Sequence, residues 1–149
     1  MLTIRCAEPQ HRQAWQALWN ENCTHFGADG MTAAVIDGLW QRFVDPTSAM
    51  NAWLAFREKE PVGLAHTILH PHTFSLRSVC YLEDLWVSPH CRKMGVATSL
   101  IAHLKARGEQ QGWRRLYWET DSDNATAQRL YERIADRRPV LIYQIAMAG

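Results

Sequence analysis

The order of apolar periodicities predicts an α/β fold: a mixed central β-sheet flanked by helices, in one domain spanning residues 1–149. Three observations carry this. The chain has 149 residues and 47% apolar content, enough for a single continuous core. Two apolar runs at 52–57 and 62–69 flank Glu58-Lys59-Glu60-Pro61, four polar or turn-forming residues that predict an antiparallel hairpin. A strand pattern at 79–87, a helix pattern at 94–111 and a strand pattern at 115–120 follow in succession, which calls for a parallel pairing joined by a crossover helix.

The elements follow in order. A short apolar start at 2–6 reads as a strand. From Pro9 to about Asn22, Trp15, Leu18 and Trp19 recur at helical spacing, with Pro9 suited to a first turn. Residues 27–30 break the chain, and a second helix over 31–43 repeats Val35, Leu39 and Phe43 before Asp45-Pro46 stops it. The hairpin comes next, then a turn over 71–76. In the strand over 79–87, unbroken alternation places Val79, Tyr81, Glu83, Leu85 and Val87 on one face. Val96, Ala97, Leu100, Ile101 and Leu104 give the following helix its apolar stripe, and Gly112 ends it. A last helix over 124–134 and a strand over 140–146 complete the set.

Composition excludes several function classes. With 16 basic and 15 acidic residues the formal charge is +1, so no overall field draws the molecule to nucleic acid or an anionic bilayer. No run approaches the 18 or more apolar residues of a membrane span, and the first residues lack a signal-peptide pattern. Cysteines at 6, 23, 80 and 91 form neither a disulfide framework nor a zinc pattern, which points to a reducing, cytoplasmic setting. His70-Pro71-His72 is the one close histidine pair, without acidic or thiol neighbours in local sequence, so no metal site is expected.

The chemistry concentrates in the second half. Ser88-Pro89-His90-Cys91-Arg92-Lys93-Met94-Gly95-Val96-Ala97 joins the long strand to its helix, where unpaired backbone N–H groups favour a bound phosphate. Gly95 and Ala97 let a ligand approach the main chain, and Arg92 and Lys93 add positive charge at the helix start. Preceded by Leu82-Glu83-Asp84-Leu85-Trp86-Val87, this stretch resembles the acetyl-CoA motif of the GCN5-related N-acetyltransferase (GNAT) family, R/Q-x-x-G-x-G/A after a strand ending in V-x-P. Asn124-Ala125-Thr126-Ala127-Gln128-Arg129-Leu130-Tyr131 resembles the second signature of that family, N-x-x-A-x-x-L-Y. The run Tyr81 to Val87 is similar to that of the spermidine/spermine and thialysine N-acetyltransferase branch.

The resemblance implies a GNAT fold, acetyl-CoA as cosubstrate, and specific roles. Leu85, Trp86 and Val87 would line the pantetheine arm; Arg92 would add charge; Lys93, Met94, Gly95, Val96, Ala97 and Thr98 would hold the diphosphate. Asn124 would contact the cofactor and Tyr131 would protonate the departing thiolate, although on residues alone they also read as a helix cap and a core aromatic. An ammonium with a pKa near 10.4 costs roughly 4 to 5 kcal/mol to deprotonate at pH 7, so the site needs a base. Glu83 is the first candidate, Asp84 the reserve, and a water relay is the third option. Glu83, Asp84 and Glu119 would attract a small cationic amine, with Trp40, Trp53, Trp86 and Trp118 available to stack on it. The family also makes a homodimer the expectation. Alternatives are acetylation of a protein lysine or amino terminus, and a non-catalytic acetyl-CoA-binding module. The chain departs from the family after the tyrosine, reading Glu132-Arg133-Ile134-Ala135-Asp136-Arg137-Arg138-Pro139 in place of E-K-x-G-F.

Overall fold

A computed structural model describes residues 1–28 and 30–149; Asp29, within the expected break at 27–30, lies outside the described residues. The chain forms two compact units, Met1–Trp118 and Glu119–Gly149.

In the first unit, β1 (Leu2–Cys6) leads through a 3-10 turn begun by Pro9 into α1 (Arg12–Phe26). Gly27 closes α1 at φ 62, a left-handed conformation that glycine adopts without a Cβ penalty. Thr32 caps α2 (Ala33–Val44) by accepting the Val35 N–H on its hydroxyl. β2 (Met50–Arg57), β3 (Glu60–Pro71) and β4 (Ser78–Val87) then form an antiparallel meander with β1 at its edge. After α3 (Val96–Gln111), β5 (Leu116–Tyr117) returns parallel to β4, giving the order β1-β2-β3-β4-β5. The mixed sheet and the crossover agree with the expectation.

The helices cover both faces of the sheet. Trp15, Leu18 and Trp19 of α1 join Trp40 and Phe43 of α2 over Ala52, Leu54, Leu64 and Trp86. Burying one such indole contributes roughly 4–6 kcal/mol by area, so this aromatic layer dominates one side of the core. On the other side Trp53 meets the His103 ring of α3 at 5.5 Å, and α3 lies so close to β3 that a Cβ on Gly63 would sit 2.6 Å from Val96 Cγ1. Coverage on both faces explains why residues 52–55 are all buried, without the alternation of a half-exposed strand.

Three expectations are corrected. The strand over 115–120 shrinks to Leu116–Tyr117, opposite Cys80 and Tyr81. Just beyond, β4 carries a bulge, and bulges raise local twist and end pairing. That bulge also breaks the single face expected for 79–87. The third correction concerns the second unit. Asn124 and α4 (Ala125–Ile134) form as expected, but residues 140–146 make no strand, and Leu141, Ile142, Tyr143 and Ile145 are exposed. Strand propensity reports packing against neighbours, and residues 119–149 hold no described strand for this run to pair with. No described helix is long and apolar enough to cross a membrane.

Candidate active site

The bulge sets the geometry of the acidic pair. Thr67 pairs with Leu82 and His66 with Asp84, so Glu83 is the extra residue on β4. Glu83 is exposed instead of sharing a face with Tyr81 and Leu85, and Asp84 is half-buried beside β3. Asp84 Oδ2 lies 2.9 Å from Nδ1 of His66, whose Nε2 accepts the indole N–H of Trp15 at 2.9 Å. Phe43 stacks on the His66 ring with centroids 4.2 Å apart, and burial pushes the imidazole below its usual pKa against the opposing pull of Asp84.

Past the bulge, Leu85, Trp86 and Val87 pair with Ala65, Leu64 and Gly63 on one side only. On the other side β5 has ended opposite Tyr81, so no described strand runs beside Leu82 to Val87. Alternate main-chain groups along this edge point away from β3, the direction in which an extended amide-bearing ligand would pair. The Trp86 indole N–H (3.0 Å) and the Ser88 hydroxyl (2.7 Å) both donate to Glu21 Oε1 of α1, which fixes the strand end against that helix.

The loop into α3 has the form of an anion cradle. Arg92, Lys93, Met94 and Gly95 are exposed, and Lys93 and Gly95 both adopt left-handed conformations, φ 65 and 79. Gly95 is the N-cap of α3, and a Cβ there would meet nothing within 4 Å, so the space above the main chain is open. The first N–H groups of α3, at Val96, Ala97 and Thr98, have no acceptor within the helix and add to its positive end. Arg92 folds back, its guanidinium 4.8 Å from the Trp86 ring and its Nε donating to the Val87 carbonyl at 3.2 Å. Donors, open space and cationic flanks together fit a diphosphate, and the open β4 edge fits the amide arm attached to it.

Within the second unit, Tyr131 lies half-buried on α4, and burial raises its phenol above the ordinary value. Asn124 Oδ1 accepts the Ala127 N–H at 3.1 Å, the helix-cap arrangement. Glu119 is exposed. Of the four tryptophans considered for stacking, Trp40, Trp53 and Trp86 are core residues and Trp118 is half-buried.

Sequence spacing marks Trp15 only as a core residue of the first helix, and it gives His66 and Glu21 no role. The available signal for His66 was a lone polar ring inside the apolar run 62–69, which calls for a buried partner. His70 and His72, the pair that sequence spacing suggested, turn to separate partners, the Pro71 carbonyl and the Ser75 hydroxyl. Glu60, His90 and Cys91 do bring donor atoms within 4.8 Å of one another, with His90 Nε2 2.6 Å from Glu60 Oε1.

Comparison with known proteins shows the family. Residues 13–135 match the model of the Acetyltransferase (GNAT) family. The D-amino-acid N-acetyltransferase HPA3 of Saccharomyces cerevisiae is 31% identical over 145 residues, covering 96% of this chain and 89% of that protein. Thialysine N-epsilon-acetyltransferase of Caenorhabditis elegans is 28% identical over 86 residues, 58% of this chain and 53% of that protein. Among solved structures, a probable acetyltransferase superposes with a TM-score of 0.87 at 22% identity, over 99% of each chain. The aminoglycoside acetyltransferase AAC(6')-Iy, in complex with a CoA-linked bisubstrate analogue, superposes with a TM-score of 0.81 at 20% identity, over 99% of each chain. The chain therefore belongs to the GNAT family and is an acetyl-CoA-dependent N-acetyltransferase.

Proposed function

We propose that the chain, acting as one N-acetyltransferase domain over 1–149, acetylates the primary amine of a small cationic molecule, a polyamine, diamine or lysine-like amino acid, by direct attack. The observation that carries this is the carboxylate pair Glu83 and Asp84, set at the bulge where the open edge of β4 begins. Two carboxylates there favour an approaching ammonium and offer a place for its proton.

When bound, acetyl-CoA supplies the thioester as acyl donor. Main-chain groups of Leu85, Trp86 and Val87 orient the pantetheine arm, and Lys93, Met94, Gly95, Val96, Ala97 and Thr98 hold the diphosphate, with Arg92 adding charge nearby. The carboxylate pair takes one proton from the substrate ammonium, directly or through water, and passes it to solvent. The freed amine forms the N–C bond as the C–S bond breaks. Tyr131, kept protonated by its burial, gives its proton to the sulfur and regains one from the attacking nitrogen. Of the three ammonium protons, one stays on the amide, one leaves to solvent and one restores the phenol. Asn124 contacts the cofactor, and Glu119 adds to the acidic character of the acceptor side.

A second reading concerns the same chemistry on the α-amine of an amino acid. It is favoured by the relative from S. cerevisiae, whose name specifies D-amino acids. The protein is further proposed to work as a cytoplasmic homodimer, with the exposed apolar residues Leu141, Ile142 and Ile145 available for self-association.

A thiol-release screen tests the proposal, using acetyl-CoA with spermidine, diamines, lysine analogues, D- and L-amino acids, aminoglycosides and peptides. Small cationic amines are expected to give the highest kcat/KM. Turnover of peptides alone would replace this reading with protein acetylation. Acetyl-CoA binding without turnover of any amine would make the chain a binding module.

A further inference from the structure

The way His66 is held identifies which of the two carboxylates receives the amine. An indole N–H only donates, so Trp15 at 2.9 Å requires a lone pair on His66 Nε2. A neutral imidazole then carries its proton on Nδ1, where it faces Asp84 Oδ2 at 2.9 Å. A doubly protonated ring would set two N–H groups against each other. His66 is 2% exposed and walled by Phe43 (4.2 Å), Trp19 (4.8 Å) and Trp15 (6.2 Å between centroids), so its ring is packed among aromatics. Cys23 of α1, also near Asp84, has its thiol raised by burial and by that carboxylate, and it stays neutral.

Asp84 is thus oriented through a chain anchored in the aromatic core, yet its side chain remains 30% exposed. A carboxylate aimed by one buried donor and still open to solvent is preorganised to take a ligand. Glu83 is the extra residue at the bulge, between Leu82 and Asp84.

We propose that His66 is a positioning residue for acetyl transfer: locked as the Nδ1–H tautomer by Trp15, it orients the Asp84 carboxylate toward the substrate ammonium, and Asp84, ahead of Glu83, accepts the proton. This rests on the amine acetylation proposed above.

Two experiments test it, and they fail separately. The first needs no turnover: 15N shifts of the labelled imidazole in the full chain at pH 7. The Nδ1–H tautomer is expected, with the pattern lost on Trp15→Phe; an Nε2–H or doubly protonated His66 overturns the proposal even if the enzyme acetylates amines. The second measures kcat and KM on the amine that gives highest turnover. Asp84→Asn is expected to lower kcat about 100-fold or more, at least tenfold further than Glu83→Gln. His66→Phe is expected to lower kcat roughly 10- to 100-fold with acetyl-CoA affinity, read by calorimetry, within twofold. His66→Asn, whose amide can still donate to Asp84, is expected to recover part of the loss. If Glu83→Gln is as damaging as Asp84→Asn, or if His66→Asn and His66→Phe behave alike, the proposal is wrong. Absence of turnover by the wild type removes the amine-acetylation reading, while the tautomer measurement still decides the geometry.

Discussion

Gly63→Ala is expected to disturb the start of α3, which is proposed above to hold the coenzyme diphosphate. Gly63 lies on β3 opposite Val87, directly under the first turn of α3. A Cβ there would meet Val96 Cγ1 at 2.6 Å, Leu100 Cδ1 at 3.1 Å and Ala55 Cβ at 3.4 Å. Val96 and Leu100 are 3% and 0% exposed, and a β-branched valine in a helix strongly prefers one rotamer, so relieving the clash calls for a shift of α3. Overpacking by one methyl costs about 1–3 kcal/mol, which for a chain of this length lowers Tm by roughly 2–12 °C. Because Val96 follows the N-cap Gly95, the same displacement shifts the first-turn N–H groups that are proposed to hold the diphosphate. Thermal unfolding and acetyl-CoA calorimetry measure the two effects together. Val96→Ala removes the clashing methyl, so Gly63→Ala made in that background should cost less than in the wild type. Equal costs in both backgrounds, or a Gly63→Ala protein with unchanged Tm and coenzyme affinity, would refute the reasoning.

The remaining predictions concern groups with distinct physical environments. Tyr131→Phe should reduce kcat at least tenfold while acetyl-CoA affinity stays within twofold, since only the departing sulfur needs the phenol proton; unchanged kcat in stopped thiol-release assays removes it from the mechanism. Because burial raises the Tyr131 phenol, any alkaline loss of kcat from this proposed acid should come above the ordinary tyrosine range in a pH profile. Asn124→Ala should cost about 1 kcal/mol by leaving the Ala127 N–H uncapped, whereas Asn124→Ser keeps the cap. If Asn124→Ser restores stability in denaturant melts without restoring coenzyme affinity, the cofactor role is separate from the cap. Cys80 is pushed up to about 12 from an ordinary 9.0 by burial. Its folded pKa is the higher one, so this stability is intact below pH 9 and is lost as pH rises from 9 toward 12. Denaturant midpoints should decline over that range, and Cys80→Ala should flatten the decline.

Sequence periodicity alone determined the α/β class, the antiparallel hairpin and the parallel crossover, because each depends on local spacing that recurs within a few residues. The strand-loop-helix junction was legible for the same reason, and Gly95 stands at the N-cap of α3 in a left-handed conformation. The junction's residues from Ser88 to Ala97 are contiguous, and a glycine at a strand-to-helix junction serves a tight turn or a close approach to the main chain. The acidic pair was legible only as two neighbouring letters. Alternation predicts that Glu83 shares the apolar face, and a bulge reverses this by one residue, but the bulge is a property of how β3 and β4 register and not of either strand alone. Likewise, His66 becomes informative only when Trp15, 51 positions away, supplies an N–H to one side of its ring and Asp84 a carboxylate to the other. The run at 140–146 shows the opposite case: its composition asks for a strand, yet strand formation needs a neighbour, which no composition contains. What the tertiary structure decided is therefore which polar groups meet across long sequence separations, because hydrogen-bond partners inside a core are chosen by packing and register, and those are set by the whole sheet.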